Sequence, residues 1–325
     1  MSQNAIYLFC GEDTYSSYQK ANFWKQEFQK KYGEFNIHVF EGAQLDASEL
    51  LSAIESVPFL SEKKFILVRD FLRDGKEADQ KMIAEELPKV PDFTVLVFIE
   101  NEKPDARTTL YKKLKTLGQL QPFEAKMEGE LESWIQTQMS QKKGSIGSRE
   151  TRMLAETVGP NLWQMSQEIE KLVLHANGTT ITAEDIEALT SPNITTSVFK
   201  LTDALSQKNP KAALKMLKIL LESGEDLIKV IFMIVRHFRI LLQVRACLDK
   251  KMDKAQITQK LKEHPYVIMT AMTQARNFTP AILTTIYQNL LHLDSDLKSG
   301  KIKTVAGNNT ELRLAVEKFI VGLAR

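Results

Sequence analysis

The chain has 325 residues, 43% of them hydrophobic and 26% charged, which is typical of a globular protein long enough for two or three domains. No apolar run approaches the ~20 residues of a membrane helix, and the two cysteines exclude both a disulfide framework and a C-x-x-C metal site. The start, MSQNAIYLFCGEDTY, has no basic segment before its short apolar run, so it predicts a first strand and not a signal peptide. We therefore expect a cytoplasmic protein without a membrane partner.

The net charge of +2 conceals an asymmetry along the chain. Residues 1–196 hold 22 Lys and Arg against 30 Asp and Glu, a net charge of −8, whereas residues 197–325 hold 21 against 11, a net charge of +10. Opposite signs suggest that the C-terminal part faces a polyanion or an acidic partner. The alternative is that the two parts attract each other or simply differ.

The first 125 residues predict strands alternating with helices. We predict strands over residues 5–10, 36–40, 65–68, 93–99 and 119–123. We predict helices over residues 13–31, 48–57, 75–87 and 107–117, the second of them capped by Ser48. Strands separated by helices of this length are typical of a parallel, doubly wound sheet.

The turn after the first strand is the usual phosphate site of such a sheet. Here it contains Gly11, Glu12 and Asp13. A phosphate-binding loop needs G-x-x-x-x-G-K-[ST], whose amides and lysine hold the phosphates. One glycine followed by two carboxylates would repel a triphosphate, so we interpret this turn as degenerate and non-functional. Asp13 is expected to cap the following helix.

The rest of the chain predicts helices only. Helices over 128–141, 148–158 and 161–175 form a small helical domain, and Ser191, Pro192 and Asn193 form a plausible linker. Apolar stripes at a spacing of three to four residues then predict a bundle core, with the last helix starting at 308–310. These stripes comprise Leu214, Leu217 and Leu221; Ile228, Ile231, Val235, Phe238 and Leu242; and Ile282, Ile286, Leu290, Leu293 and Leu297.

The segment 54–72, IESVPFLSEKKFILVRDFL, is the candidate functional stretch. Phe59 and Leu60 follow Pro58, which ends the preceding helix and fixes a turn before the polar residues 61–64 and the next strand. From position alone, the two large apolar side chains either cap the core or point outward as an anchor for a partner.

Searches for a self-sufficient active site find none. The five histidines show no metal-ligand spacing, and there is no G-x-S-x-G nucleophile motif. The sequence therefore predicts neither a metal nor another cofactor, and no catalysis by the chain alone.

Four stretches in order along the chain carry a resemblance to a known family. They are IYLFCGEDTY, SVPFLSEKKFILVRD, TITAEDIEALTS followed by SVFKLTDAL, and LHLDSDLKSG. Over essentially its whole length the sequence resembles the delta subunits of bacterial DNA polymerase III, which belong to the AAA+ clamp-loader family. The resemblance implies an α/β plus all-α fold: a RecA-like AAA+ domain with a parallel sheet (1–126), a small helical lid (127–192) and a C-terminal helical collar bundle (193–325).

The resemblance also implies a function and partners. In that family an apolar pair inserts into a pocket of the sliding clamp, the beta subunit, and helps to open its ring for loading on primed DNA. The matching residues are Phe59 and Leu60, flanked by Val57, Pro58 and Ser61; the usual order, leucine then phenylalanine, is reversed. The further partners implied are the ATPase subunits (gamma/tau), delta-prime and primer-template DNA, within a nucleotidyltransferase complex.

Two rival functions are weighed against this one. The first is an active AAA+ nucleotide hydrolase, against which the missing phosphate-loop lysine argues. The second is a DNA-binding module built on the basic C-terminal half. That half has no obvious recognition helix or row of aromatic side chains for stacking bases.

Overall fold

The structure is a computed structural model that describes residues 5–191, 193–303 and 309–323, with the backbone alone described at Glu128. The chain divides into two compact units, Met1–Lys126 and Met127–Arg325. The separation of the second unit into a lid and a collar stays a prediction. Pro192 of the predicted linker and Asn308 at the predicted start of the last helix lie outside the described residues.

The first unit is an α/β unit. In its described part, five strands form one parallel sheet in the order β2-β3-β4-β1-β5. The strands are β1 (Ile6–Cys10), β2 (Ile37–Glu41), β3 (Lys64–Arg69), β4 (Thr94–Glu100) and β5 (Gln119–Pro122). The helices are α1 (Thr14–Tyr32), α2 (Ala47–Glu55), α3 (Phe71–Asp74), α4 (Glu77–Glu86) and α5 (Thr109–Leu117), with short 3-10 turns at Glu34–Asn36 and Leu87–Lys89.

Helices cover both faces of this sheet, which is why its central strands are apolar on both sides. Alternate side chains of β1, β3 and β4 pack on one face against α2, α4 and α5. The other side chains of the same strands, Phe9, Phe65 and Val97 among them, pack against α1 through Ala21. The predicted parallel sheet is therefore confirmed.

The helix boundaries predicted for the first unit lie within two residues of the observed ones, and two of the differences have a clear physical cause. Asp46, not Ser48, caps α2, because its carboxylate accepts a hydrogen bond from the Ser48 amide at 2.8 Å. The helix predicted over 75–87 begins two residues later, at Glu77, because Gly75 is extended and separates it from the short helix α3. The buried Gln80 side chain holds this break by donating to the carbonyls of Phe71, Leu72 and Gly75.

The second unit is helical apart from one short strand pair in its described residues. Its first helices are α6 (Glu128–Gln141), α7 (Ser148–Val158), α8 (Leu162–Ala176) and α9 (Ala183–Leu189). The later ones are α10 (Ile194–Ser206), α11 (Pro210–Glu222), α12 (Leu227–Asp249), α13 (Lys254–Leu261), α14 (Pro265–Ala275), α15 (Pro280–Lys298) and α16 (Thr310–Leu323). The strand pair, β6 (Ser145–Ile146) with β7 (Thr180–Ile181), was not predicted.

The helices α10 to α16 share one hydrophobic core, as the apolar stripes predict. Leu217, Ile231, Phe238, Ile286 and Leu290 are buried in it. The remaining stripe residues pack at its edge with one exception, since Ile282 is exposed and its neighbour Leu283 is buried in its place. Assigning Ile282 to the core was therefore wrong by one position.

A buried network of hydrogen bonds links three of these helices. His237 of α12 hydrogen-bonds the side-chain oxygen of Gln274 on α14 at 2.6 Å, and the Gln274 amide donates to the Phe199 carbonyl and the Asp203 carboxylate of α10. Burial lowers the pKa of His237 to about 4, so the imidazole is neutral at neutral pH. None of the helices described is both long enough and apolar enough to cross a membrane.

Candidate partner-binding site

The segment between α2 and β3, residues 56–63, forms an exposed turn that we call the tip. Three of its apolar side chains are largely exposed: Val57 at 80%, Phe59 at 62% and Leu60 at 91%. Pro58 is buried and Ser61 is half-buried. Apolar side chains of this size exposed together on one turn are typical of an interaction surface. Phe59 and Leu60 therefore do not cap the core.

Leu60 also has an unusual backbone conformation. Its φ of 47° lies in the left-handed region, which costs a residue with a Cβ atom about 1–2 kcal/mol. The most exposed apolar side chain of the tip is thus held on a strained backbone. Strain of this kind is typical of functional turns, because folding stability alone favours glycine there.

Lys64 fixes the tip at its base. The sequence places Lys64 in the polar part of the turn, but the structure buries it as the first residue of β3. Its ammonium group donates to the carbonyls of Ala53 and Ser56 and to the Ser56 hydroxyl, and so caps the C-terminal end of α2. No pattern of spacing or periodicity in the sequence indicates this role.

Replacing Lys64 with methionine should destabilise the first unit by about 2 kcal/mol. The carbonyls of Ala53 and Ser56 would lose hydrogen bonds to a charged donor, worth about 1.5–3 kcal/mol each, and relief from burying a charge would offset part of that loss. Urea unfolding at pH 7 measures the difference. Lys63→Met, at an exposed neighbour, is the control and should change the unfolding free energy by less than about 0.5 kcal/mol.

The same lysine gives a pH signature that checks this assignment. Burial lowers the pKa of Lys64 from 10.5 to about 8. Between these values the unfolded chain binds more protons than the folded one, so the lysine's contribution makes stability rise with pH across this window. The Lys64→Met variant should lack that rise. An identical pH profile in both proteins would show that the ammonium is not buried as described.

In the turn between β1 and α1, two backbone amides already donate to carbonyl groups of the protein itself. The amide of Gly11 donates to the Glu100 carbonyl at 3.3 Å, and the amide of Asp13 donates to the Phe123 carbonyl at 3.0 Å. A Cβ atom on Gly11, whose φ is 137°, would lie 2.1 Å from that same Phe123 oxygen. Amides engaged in this way do not fit a phosphate.

The carboxylates of this turn are used locally as well. Asp13 caps α1, as predicted, by accepting from the Ser16 amide at 2.8 Å, and its other oxygen lies 3.1 Å from the Lys126 ammonium. Glu12 is half-buried beside it. Lys126 is thus engaged by Asp13, and Glu12 places a further carboxylate where a nucleotide would need positive charge.

At the carboxyl ends of β3 and β4, the acidic side chains also accept hydrogen bonds from groups of the protein itself. Asp70 accepts from both the backbone amide and the side-chain amide of Asn101, at 3.1 and 2.7 Å. Glu100 accepts from the amides of Leu72 and Arg73, and burial raises its pKa to about 7. No group of three or more His, Cys, Asp or Glu side chains is placed to hold a metal among the described residues.

The chain is similar to known proteins in family, sequence and structure. A model of the family "DNA polymerase III, delta subunit" matches residues 7–124, and one of "DNA polymerase III delta subunit, C-terminal domain" matches residues 195–316. The chain is 24% identical over 330 residues to DNA polymerase III subunit delta of Bacillus subtilis (strain 168), covering 98% of this chain and 93% of that protein.

A solved structure has the same fold. The DNA clamp loader delta protein of Bacillus subtilis superposes with a TM-score of 0.75 at 24% identity, covering 99% of this chain and 95% of that one. The parallel sheet with its helices is thus AAA+-like, as expected from the sequence. Together the two family matches span most of the chain. The chain therefore belongs to the family of DNA polymerase III delta subunits, which are clamp-loader proteins of DNA replication.

Proposed function

We propose that this chain binds the sliding clamp through Phe59 and Leu60 and holds the clamp ring open while it is loaded on primed DNA. The observation that carries the proposal is the exposure of both side chains on a tip whose base is fixed by a buried lysine. Val57 and Ser61 flank the pair, and Pro58 holds the turn. Membership of the delta-subunit family supports the clamp as the partner.

The mechanism is a shift of population and involves no covalent chemistry. A ring that exchanges between closed and open states is shifted only by a ligand that binds the open state more tightly. Moving the ratio from 1:99 to 99:1 takes about 5.5 kcal/mol of differential affinity. Full burial of a leucine or a phenylalanine contributes about 1.5–3 kcal/mol each, so the pair has the required order of magnitude.

ATP acts on other subunits in this proposal. The turn containing Gly11, Glu12 and Asp13 does not fit a phosphate, which supports its interpretation as degenerate and non-functional. Nucleotide binding by the gamma or tau subunits would then control when the tip reaches the clamp. In the proposed hetero-oligomer, this chain assembles with delta-prime and these ATPase subunits.

An apolar groove between α12 and α15 is the proposed contact with another loader subunit. Its walls include Ile228 and Val235 on α12 and Leu290 and Leu297 on α15. Phe232 and Leu291 stand at its edge with 59% and 61% of their surface exposed. A bundle that exposes large side chains beside a groove is suited to packing against a further helix.

The basic half of the chain supports a place near DNA in the assembled loader. The net charge of +10 in residues 197–325 would attract duplex phosphate independently of sequence. Such attraction weakens steeply as salt concentration rises. Binding releases counterions from the DNA, and their release is less favourable in a more concentrated salt solution. It would guide the opened clamp and DNA together without base recognition.

The isolated chain is therefore expected to bind the clamp without ATP and to hydrolyse none. A titration of the clamp with and without ATP, run beside a phosphate-release assay, tests both statements. Saturable binding that ATP leaves unchanged supports the proposal. ATP turnover that Thr14→Ala abolishes would contradict it and favour the nucleotide-hydrolase alternative.

A further inference from the structure

The connection between α1 and β2 lies against the tip. Phe35, in the 3-10 turn Glu34–Asn36, packs edge-to-face on Phe59 with ring centroids 5.8 Å apart and planes at 68°. Phe35 nevertheless remains 71% exposed. The apolar surface at the tip is thus built from two segments that are more than twenty residues apart in sequence.

The neighbouring residue, Asn36, joins these two segments. Its side chain is buried and bonds to both backbone polar groups of Phe59. The Asn36 oxygen accepts from the Phe59 amide at 2.7 Å, and the Asn36 nitrogen donates to the Phe59 carbonyl at 3.0 Å. The same nitrogen donates to the Tyr32 carbonyl at 2.7 Å at the end of α1.

The partners of Asn36 leave no ambiguity about the orientation of its amide. Two carbonyl oxygens require the NH2 group, and one backbone N–H requires the oxygen, so the groups match in one orientation only. An amide side chain placed in this way pairs with Phe59 as a neighbouring strand would. It ties the tip to the end of α1.

We propose that Phe35 is a third contact residue for the clamp and that Asn36 is a positioning residue that presents Phe59. The inference rests on the proposed function and extends it to a second chain segment. A partner that covers the Phe59 ring also meets the exposed Phe35 side chain, because the two ring centroids are 5.8 Å apart. The occupant of this surface is therefore the same sliding clamp.

Positioning matters here because a loose tip would have to be ordered on binding. Ordering a backbone segment or immobilising a side chain on binding weakens the affinity, because conformational entropy is lost. Asn36 restrains the Phe59 backbone before the clamp arrives. The entropy of ordering the tip is therefore lost on folding and not on binding. The residues that contribute most to binding cluster near the centre of an interface in well-packed pockets, and a pre-positioned Phe59 ring beside Phe35 is suited to such a place.

The first test compares Asn36→Ala with Gln80→Ala in the full-length chain. Both remove a buried side-chain amide that bonds to backbone groups in the first unit, but Gln80 holds the α3–α4 break. We expect Asn36→Ala to weaken clamp binding at least tenfold and to speed hydrogen exchange at the Phe59 amide, while β3 amides keep their protection. Gln80→Ala should lower the melting temperature and leave the clamp affinity per folded molecule unchanged.

The result that overturns the positioning role is equal clamp affinity in Asn36→Ala and the unmodified chain. The role would also be overturned if Gln80→Ala had the same melting temperature as Asn36→Ala and lost as much clamp affinity. The effect would then follow stability alone.

The second test needs no change in the core. Phe35→Ala should weaken clamp binding about tenfold with an unchanged melting temperature, whereas Phe23→Ala, at an exposed phenylalanine within α1, should leave binding unchanged. Unaltered affinity in Phe35→Ala would remove Phe35 from the interface. If Phe59→Ala weakens binding but neither Phe35→Ala nor Asn36→Ala does, this inference fails and the proposed function stands. If Phe59→Ala also has no effect, the proposed function itself fails.

Discussion

The double variant Phe59→Ala with Leu60→Ala is expected to lose at least a hundredfold in clamp affinity and to keep the melting temperature of the unmodified chain. Each anchor side chain is expected to contribute about 2 kcal/mol, and each 1.4 kcal/mol is a factor of ten in affinity. Effects of neighbouring residues are not additive in general, so the expected loss is given as a lower bound and not as the product of the two single effects. A clamp titration beside a melting curve on one preparation measures both quantities, and clamp unloading should be abolished while loader assembly persists.

Two single variants separate contact from folding. Phe65→Ala, at a fully buried side chain of β3, should cost about 3–5 kcal/mol of unfolding free energy. Leu60→Gly removes the anchor together with its left-handed strain, so it should weaken clamp binding and raise the melting temperature. A double variant that loses stability and keeps its clamp affinity per folded molecule would return Phe59 and Leu60 to the core.

The second large effect is expected in the groove between α12 and α15. Phe232→Glu with Leu291→Glu places two carboxylates where another loader subunit is proposed to pack, and burying an unpaired charge is strongly unfavourable. We expect incorporation into a loader reconstituted with the ATPase and delta-prime subunits to fall at least a hundredfold. Native mass spectrometry of the mixture measures the incorporated fraction.

Clamp binding by this groove variant should be unchanged, because the tip belongs to the other unit. Leu174→Glu is the control, since it adds one carboxylate at an exposed leucine of α8 outside the groove. Normal assembly of the groove variant would show that a different surface joins the loader. Equal loss in the control would point to a general effect of charge.

The sequence predicts the framework of this protein well where the signal is local. The apolar runs around Phe65 and Val97 predict buried parallel strands, and Asp13 is read correctly as a cap because its role depends on residues three positions away. The position of Phe59 and Leu60 after Pro58 indicates a turn. Position alone leaves open whether the pair is buried, and the structure resolves this by placing it outside the core.

Other features depend on contacts that no local pattern records. Asn36 reaches Phe59 across 23 positions, and Lys64 reaches back to Ala53 across 11. Both are polar residues that would ordinarily be assigned to the surface. The error at Ile282 has a different origin, because Ile282 and Leu283 are adjacent apolar residues and periodicity then fixes the buried face only to within one position.

The most direct test of the central claim is a measurement of the clamp ring itself. Donor and acceptor dyes placed across one subunit interface of the clamp report opening as a loss of energy transfer. Saturating amounts of the unmodified chain, without ATP, should lower the transfer, and the Phe59→Ala, Leu60→Ala double variant should leave it at the value of the free clamp. Transfer that stays unchanged while the unmodified chain is bound would contradict the proposal, because the chain would then bind the clamp without favouring its open state.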